Sequence, residues 1–269
     1  MHAPGSLRVR RPWLPVLGAA LAIAAVCALG MWRPWVTPSA PVASEADTVV
    51  AVAPAMLELP DAPRVLVFGD SWVYGSAATI PALGFAYRLG ENLGWDAVVD
   101  GVRGSGYLKP GIDGGSYGER VAALDPALDP DLIILEGSIN DRRLPAEGYT
   151  DAVTAVWNAL ESRYPDAAIV ILGPAPQVLP VESATARIDR DLASLAAARG
   201  WWYISPIAGD WITEANYLDV IDIGPVGRNH PSTDGHAYLA ERVAEAIIEM
   251  TAPTDVVADA PLDEEIVAP

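Results

Sequence analysis

The chain has 269 residues, a formal net charge of −18 and one cysteine. That length accommodates one well-buried domain with tails. The charge, with 17 Lys+Arg scattered among 35 Asp+Glu, excludes a nucleic-acid footprint.

Taken in chain order, the first feature is an uncharged apolar stretch at 14–31, preceded by Arg8, Arg10 and Arg11 and followed by Arg33. About 20 apolar residues match a hydrocarbon core of roughly 30 Å. Residues 13–32 are therefore expected to form a transmembrane signal anchor after a basic cytoplasmic N-terminus at 1–12, which leaves the rest of the chain outside the cell. Trp13, Trp32 and Trp35 fall where interfacial aromatic residues sit. The competing reading is a cleaved signal peptide and a secreted body. With Cys27 inside the anchor, the exported body has no cysteine, which excludes disulfides and cysteine-ligated metal.

Residues 33–62 are rich in Pro, Ala, Val and Ser and read as an extended stalk. The body is expected at 63–251, and the acidic, proline-containing residues 252–269 read as a disordered tail. Within the body, short apolar runs at Val65–Phe68, Ala97–Val99, Leu132–Leu135, Ile169–Leu172 and Trp202–Ile204 have the composition of buried parallel strands. Amphipathic stretches at Pro81–Leu93, Thr150–Arg163, Ser183–Ala198 and Gly235–Met250 alternate with them. This alternation predicts a three-layer α/β/α sandwich around a parallel sheet.

In such a sheet the carboxyl ends of the strands share one edge, where ligands bind. Ser71 follows the first strand, Gly104 the second and Asn140 the third, and His230 precedes the last helix. A free hydroxyl is a poor nucleophile near neutral pH, and His230 is the candidate base for Ser71. His2 lies across the membrane, and His236 is explained by packing at a helix start. Attack on an ester carbonyl creates an oxyanion that needs preorganised donors. The Ser71 N–H, the Gly104 N–H and the Asn140 amide are the candidates. Each also has a plain structural reading, as a turn glycine or a helix cap.

These blocks resemble the SGNH/GDSL hydrolase superfamily over most of 63–250. Gly69-Asp70-Ser71 matches the nucleophile block and Gly104 the oxyanion glycine. Asn140-Asp141 matches the third block, and His230-Pro231 with Gly235-His236 matches the C-terminal ending. The resemblance implies a flavodoxin-like sandwich and hydrolysis of acyl esters. Ser71 would be the nucleophile, His230 the base, and Ser71, Gly104 and Asn140 the oxyanion hole, with no metal or organic cofactor.

Two positions depart from the pattern. Ser138 stands where a glycine is expected, and Gly227 stands three residues before His230, where the triad aspartate belongs. Asp222 is the expected replacement, ahead of Asp219 and Asp234; a backbone carbonyl orienting His230 is the alternative. Trp72, Tyr74 and Tyr107 are candidate pocket residues with equally good packing roles. Arg142 and Arg143 either meet an anionic substrate or form salt bridges.

The expected function is thus a membrane-tethered exported esterase acting on O-acetyl or short acyl groups of an envelope glycan or glycolipid. A catalytically silent glycan-binding module and an acyltransferase working through the same acyl-enzyme are the alternatives.

Overall fold

The computed structural model describes residues 54–137 and 139–252. The expected anchor at 13–32, the stalk up to residue 53, Ser138 and the tail beyond residue 252 lie outside the described residues. Among the described residues, no helix is long and apolar enough to cross a membrane.

The chain enters the sheet at β1 (Arg64–Gly69) and turns through a one-turn helix α1 (Ser71–Tyr74). It continues through a 3₁₀ turn at Pro81–Leu83 into α2 (Phe85–Leu93), and then β2 (Asp96–Gly101). A long loop leads to α3 (Tyr117–Ala123) and β3 (Leu132–Glu136), followed by a 3₁₀ turn at Ile139–Arg143. Next come α4 (Tyr149–Arg163), β4 (Ala168–Leu172), α5 (Ser183–Arg199) and β5 (Trp202–Ile204). Short elements α6 (Tyr217–Val220), β6 (Ile221–Asp222) and β7 (His230–Pro231) lead into the last helix, α7 (Thr233–Thr251).

The five main strands form one parallel sheet in the order β2-β1-β3-β4-β5. Side chains alternate across it, as strand geometry requires. Val65, Val67, Ile134, Val170 and Leu172 share an apolar cluster with α2 and α7. Leu66, Phe68, Ile133, Leu135 and Ile171 share the opposite cluster with α3, α4 and α5. Helices on both faces of a parallel sheet make the expected three-layer sandwich.

Three features depart from the sequence reading. The stretch expected as one helix at Pro81–Leu93 breaks at Gly84, whose Cα faces that of Gly75 closely. Helix α3 and the two-stranded β6–β7 ribbon were not expected. The end of the stalk is also part of the folded body: Leu57 is buried in the core and its N–H donates to Met250 O at 2.9 Å. The Trp202 indole likewise donates to Ala55 O. An apolar residue near a domain edge stabilises by burial, which a Pro- and Ala-rich composition does not reveal.

Candidate active site

Ser71 is the first residue of α1, directly after the β1 carboxyl end. The turn is tight because Asp70 caps the helix: its Oδ1 accepts the Trp72 N–H at 2.8 Å. Gly69 is required here by space, since a Cβ would lie 2.7 Å from Glu136 Oε2 and 2.8 Å from Glu136 Cβ. Ser71 is 5% exposed, yet its hydroxyl reaches the His230 Nε2 at 2.9 Å.

The other ring nitrogen of His230, Nδ1, stands 2.8 Å from the carbonyl oxygen of Gly227. A carbonyl can only accept, so Nδ1 carries the hydrogen and Nε2 presents its lone pair to Ser71. The expected Asp222 carboxylate is not brought to the ring. Its Oδ1 accepts the Gly224 N–H at 2.7 Å, and its backbone pairs with His230 across the β6–β7 ribbon. The Asp222 side chain instead fills the space beside Gly227 that a side chain at position 227 would occupy. No acidic side chain bonds the His230 ring among the described residues; Asp219 offers only its carbonyl, to Ser232, and Asp234 sits in the first turn of α7.

Ser71, Gly104, Asn140 and His230 line a single cavity of about 350 Å³. Gly104 has φ +74°, a left-handed conformation that glycine adopts without strain. Within the described residues neither its N–H nor that of Ser71 is spent on a protein acceptor. Asn140 differs from expectation. Its Nδ2 donates to Asp70 Oδ2 at 2.7 Å and to Ser105 O at 3.0 Å, so both amide hydrogens have acceptors in this state.

Three buried ionisable residues hold these loops together, and none was singled out in the sequence for that role. Glu136 ends β3 and accepts the Asp70 N–H at 3.0 Å and the Tyr117 hydroxyl at 3.3 Å. Burial, and then the neighbouring Asp70 charge, push its carboxyl well above the usual range. Arg120 of α3 donates to Gly69 O, Ser105 Oγ, the Asp100 backbone carbonyl and Asp100 Oδ1, with its guanidinium 4.0 Å from the Phe68 ring centroid. It thereby ties the ends of β1 and β2 to the Gly104 loop. Asp141 accepts the N–H groups of Tyr107, Leu108 and Lys109 and shapes the far side of that loop. Its carboxyl is pushed up by burial against the opposing pull of those three donors. A charged residue ending an otherwise apolar strand was the legible signal for Glu136. For Arg120 it was an arginine between Tyr117 and Val121 on one helix face.

The remaining expected residues separate cleanly. Trp72 is buried in the core, and Tyr107 is buried with its hydroxyl accepting from the Trp157 indole. Tyr74 stacks under Arg103. Arg142 is held by Glu182 and Gln177, whereas Arg143 is exposed. His236 packs as expected: its Nδ1 accepts the Phe85 N–H and its Nε2 faces Ser76 O. Among the described residues, no group of three or more His, Cys, Asp or Glu side chains is arranged to hold a metal ion. The arrangement offers a hydroxyl with an adjacent base, and two unspent N–H groups beside it, as acyl transfer requires.

The profile of the GDSL-like Lipase/Acylhydrolase family matches residues 67–238. The chain is 28% identical over 196 residues to a GDSL lipase of Mycobacterium tuberculosis, covering 68% of this chain and 80% of that protein. In fold it is similar to a carbohydrate acetylesterase family member from Sinorhizobium meliloti, with TM-score 0.54 and 14% identity over 70% of this chain and 98% of the other. It is also similar to a two-domain esterase active on acetylated mannans, with TM-score 0.53 and 17% identity over 75% of this chain and 52% of the other.

Proposed function

This chain belongs to the GDSL-like lipase/acylhydrolase family and is a carboxylic ester hydrolase, and from that premise we propose that it cleaves O-acetyl and other short acyl esters through an acyl-enzyme on Ser71. The observation that carries the reading is the 2.9 Å approach of His230 Nε2 to Ser71 Oγ, with Nδ1 anchored on Gly227 O. Ser71 Oγ attacks the ester carbonyl carbon while His230 takes its proton. The tetrahedral oxyanion forms against the Ser71 and Gly104 N–H groups; losing one such donor typically costs about 10²–10³ in rate. Asn140 joins them when its amide releases Ser105 O or Asp70. His230 then protonates the leaving alcohol. Water, deprotonated by the same ring, attacks the acyl carbon and releases the carboxylic acid and free Ser71.

A short acyl group suits the cavity, because among the described residues Ile112 is its only aliphatic lining side chain and a long chain would find little aliphatic surface to bury against. An acetylated glycan is a reasonable substrate class, given the acetylated mannans on which one protein of this fold acts. The exported, membrane-tethered location belongs to the same proposal and rests on the uncharged stretch 14–31 and its flanking arginines. The Ser71–His230 geometry favours an active enzyme over a silent binding module.

The full chain should hydrolyse 4-nitrophenyl acetate and label with a fluorophosphonate, and Ser71→Ala should abolish both. Hydrolysis that survives Ser71→Ala would remove the assignment. Protease protection of the body in intact cells would remove the exported location.

A further inference from the structure

The cavity beside Ser71 has a charge opposite to that of the chain. Five of the 17 Lys+Arg line it, namely Arg103, Lys109, Arg142, Arg143 and Arg228, and among the described residues no Asp or Glu does. Charges taken in the chain's own proportion would be mostly acidic. Two of the five are neutralised by partners, Arg103 by Asp113 and Arg142 by Glu182. Lys109, Arg143 and Arg228 have no acidic partner among the described residues.

The placement of Lys109 is built rather than incidental. It is the only lysine in the chain and is half-buried, and Asp141 fixes its backbone through the Lys109 N–H at 3.1 Å. Its ammonium stands 3.8 Å from where a Cβ on Gly104 would lie, next to the N–H proposed for the oxyanion hole. Arg228 lines the same cavity from the loop that orients His230, one residue after the carbonyl that does so. A concave wall with cations of one sign focuses the field on the reacting centre and raises the local concentration of anions.

We infer that the ester this site takes carries an anionic group, a carboxylate or a phosphate, held by Lys109, Arg143 and Arg228 close to the scissile bond. The inference rests on the esterase reading for its chemistry, but the charge preference is a binding property that can be read without turnover. The group sits on the acyl or on the alcohol portion of the ester; one substrate class, a negatively charged short ester, covers both. The long-range repulsion between such an ester and the acidic remainder of the chain is screened beyond about 8–10 Å in physiological salt, whereas the cavity cations act at contact.

The test uses the full chain with Ser71→Ala, titrated calorimetrically at about 20 mM and about 500 mM salt, on either side of the physiological range of screening. The probes are monomethyl succinate, with the anion on the acyl side, and 4-acetoxybenzoate, with the anion on the alcohol side. Each is paired with a neutral partner, methyl pentanoate and methyl 4-acetoxybenzoate respectively. At least one anion should bind about tenfold more tightly than its partner at low salt and lose most of that advantage at high salt. Adding Arg143→Gln and Arg228→Gln, both at exposed positions, should lower the ratio of anionic to neutral affinity several-fold.

Neutral probes that bind as well as both anions would overturn the inference, as would a preference untouched by the arginine replacements. Hydrolysis of 4-nitrophenyl acetate by the unaltered chain is read separately. Anion binding without any hydrolysis breaks the esterase reading and leaves this one standing. Hydrolysis without charge preference does the reverse.

Discussion

Gly227 gives its carbonyl oxygen to His230 Nδ1 at 2.8 Å, from the sequence position where the resemblance calls for an aspartate. The carbonyl fixes the tautomer as a carboxylate would, but it supplies only a dipole to the imidazolium that forms during attack. Restoring the aspartate should therefore not restore a triad. A side chain at 227 overlaps the Cβ, Cγ and carbonyl oxygen of Asp222, so the backbone that delivers the carbonyl must move. Gly227→Asp is expected to lower kcat/KM about tenfold or more and to destabilise by about 1–3 kcal/mol, as overpacking does. Ester hydrolysis and urea unfolding measure the two effects; a gain in kcat/KM would count against the steric account.

Asp222→Asn distinguishes a carboxylate that charges the ring from one that shapes the loop. A triad acid lost to its amide typically costs about 10⁴ in turnover. Here the Oδ1 of Asp222 accepts the Gly224 N–H, which an asparagine oxygen also does. Activity of Asp222→Asn is expected to stay within about tenfold of the unaltered chain, with the same pH profile of kcat/KM. Asp222→Ala, which leaves that N–H unmatched, should lose more. Equal losses of about 10⁴ in both would return Asp222 to the triad.

What the sequence made legible was whatever follows from periodicity and order. Apolar runs located all five strands of the main sheet, and strand order alone brought Ser71, Gly104, Asn140 and His230 to one edge, where they do line one cavity. The partner of His230 could not be read, because a backbone carbonyl carries no residue signature. Asp222 looked suitable by distance along the chain, but the β6–β7 ribbon pairs its backbone with His230, and its side chain turns to Gly224. Glu136 and Arg120 showed only their burial in the sequence, not their role, for a related reason: a buried ionisable group is recognised by the partners it finds in space, Asp70 and Tyr117 for one, Asp100 and Gly69 for the other.

His236 makes stability depend on pH. Burial, with His230 nearby, pushes its pKa down from 6.5 to about 4 despite the Ser76 carbonyl. As pH falls, the unfolded chain takes up this proton first. The contribution is present in full above pH 6.5 and is lost progressively down to about pH 4. A shift of this size corresponds to roughly 3 kcal/mol. His236→Phe removes the titration along with two hydrogen bonds. The stability advantage of the unaltered chain over this variant should therefore shrink by about that amount between pH 7 and pH 4 in urea unfolding. An advantage constant with pH would show that the ring titrates alike in both states.

Glu136 produces the opposite slope. Burial first, then the Asp70 charge, raise its pKa well above 4.5, so the folded chain holds a proton that the unfolded chain releases as pH rises. Stability is therefore lost as pH climbs from the unfolded value towards the folded one. Glutamine has the shape of the protonated acid: its oxygen still accepts the Asp70 N–H and the Tyr117 hydroxyl, and it has no proton to lose. Glu136→Gln should leave ester hydrolysis within about tenfold and gain stability relative to the unaltered chain as pH rises from 5 towards 9. Unfolding midpoints across that range read the difference directly. A difference that stays flat would mean the carboxyl is ionised in the folded state, and Asp70, capping the helix that carries Ser71, would then have a full negative charge as its neighbour.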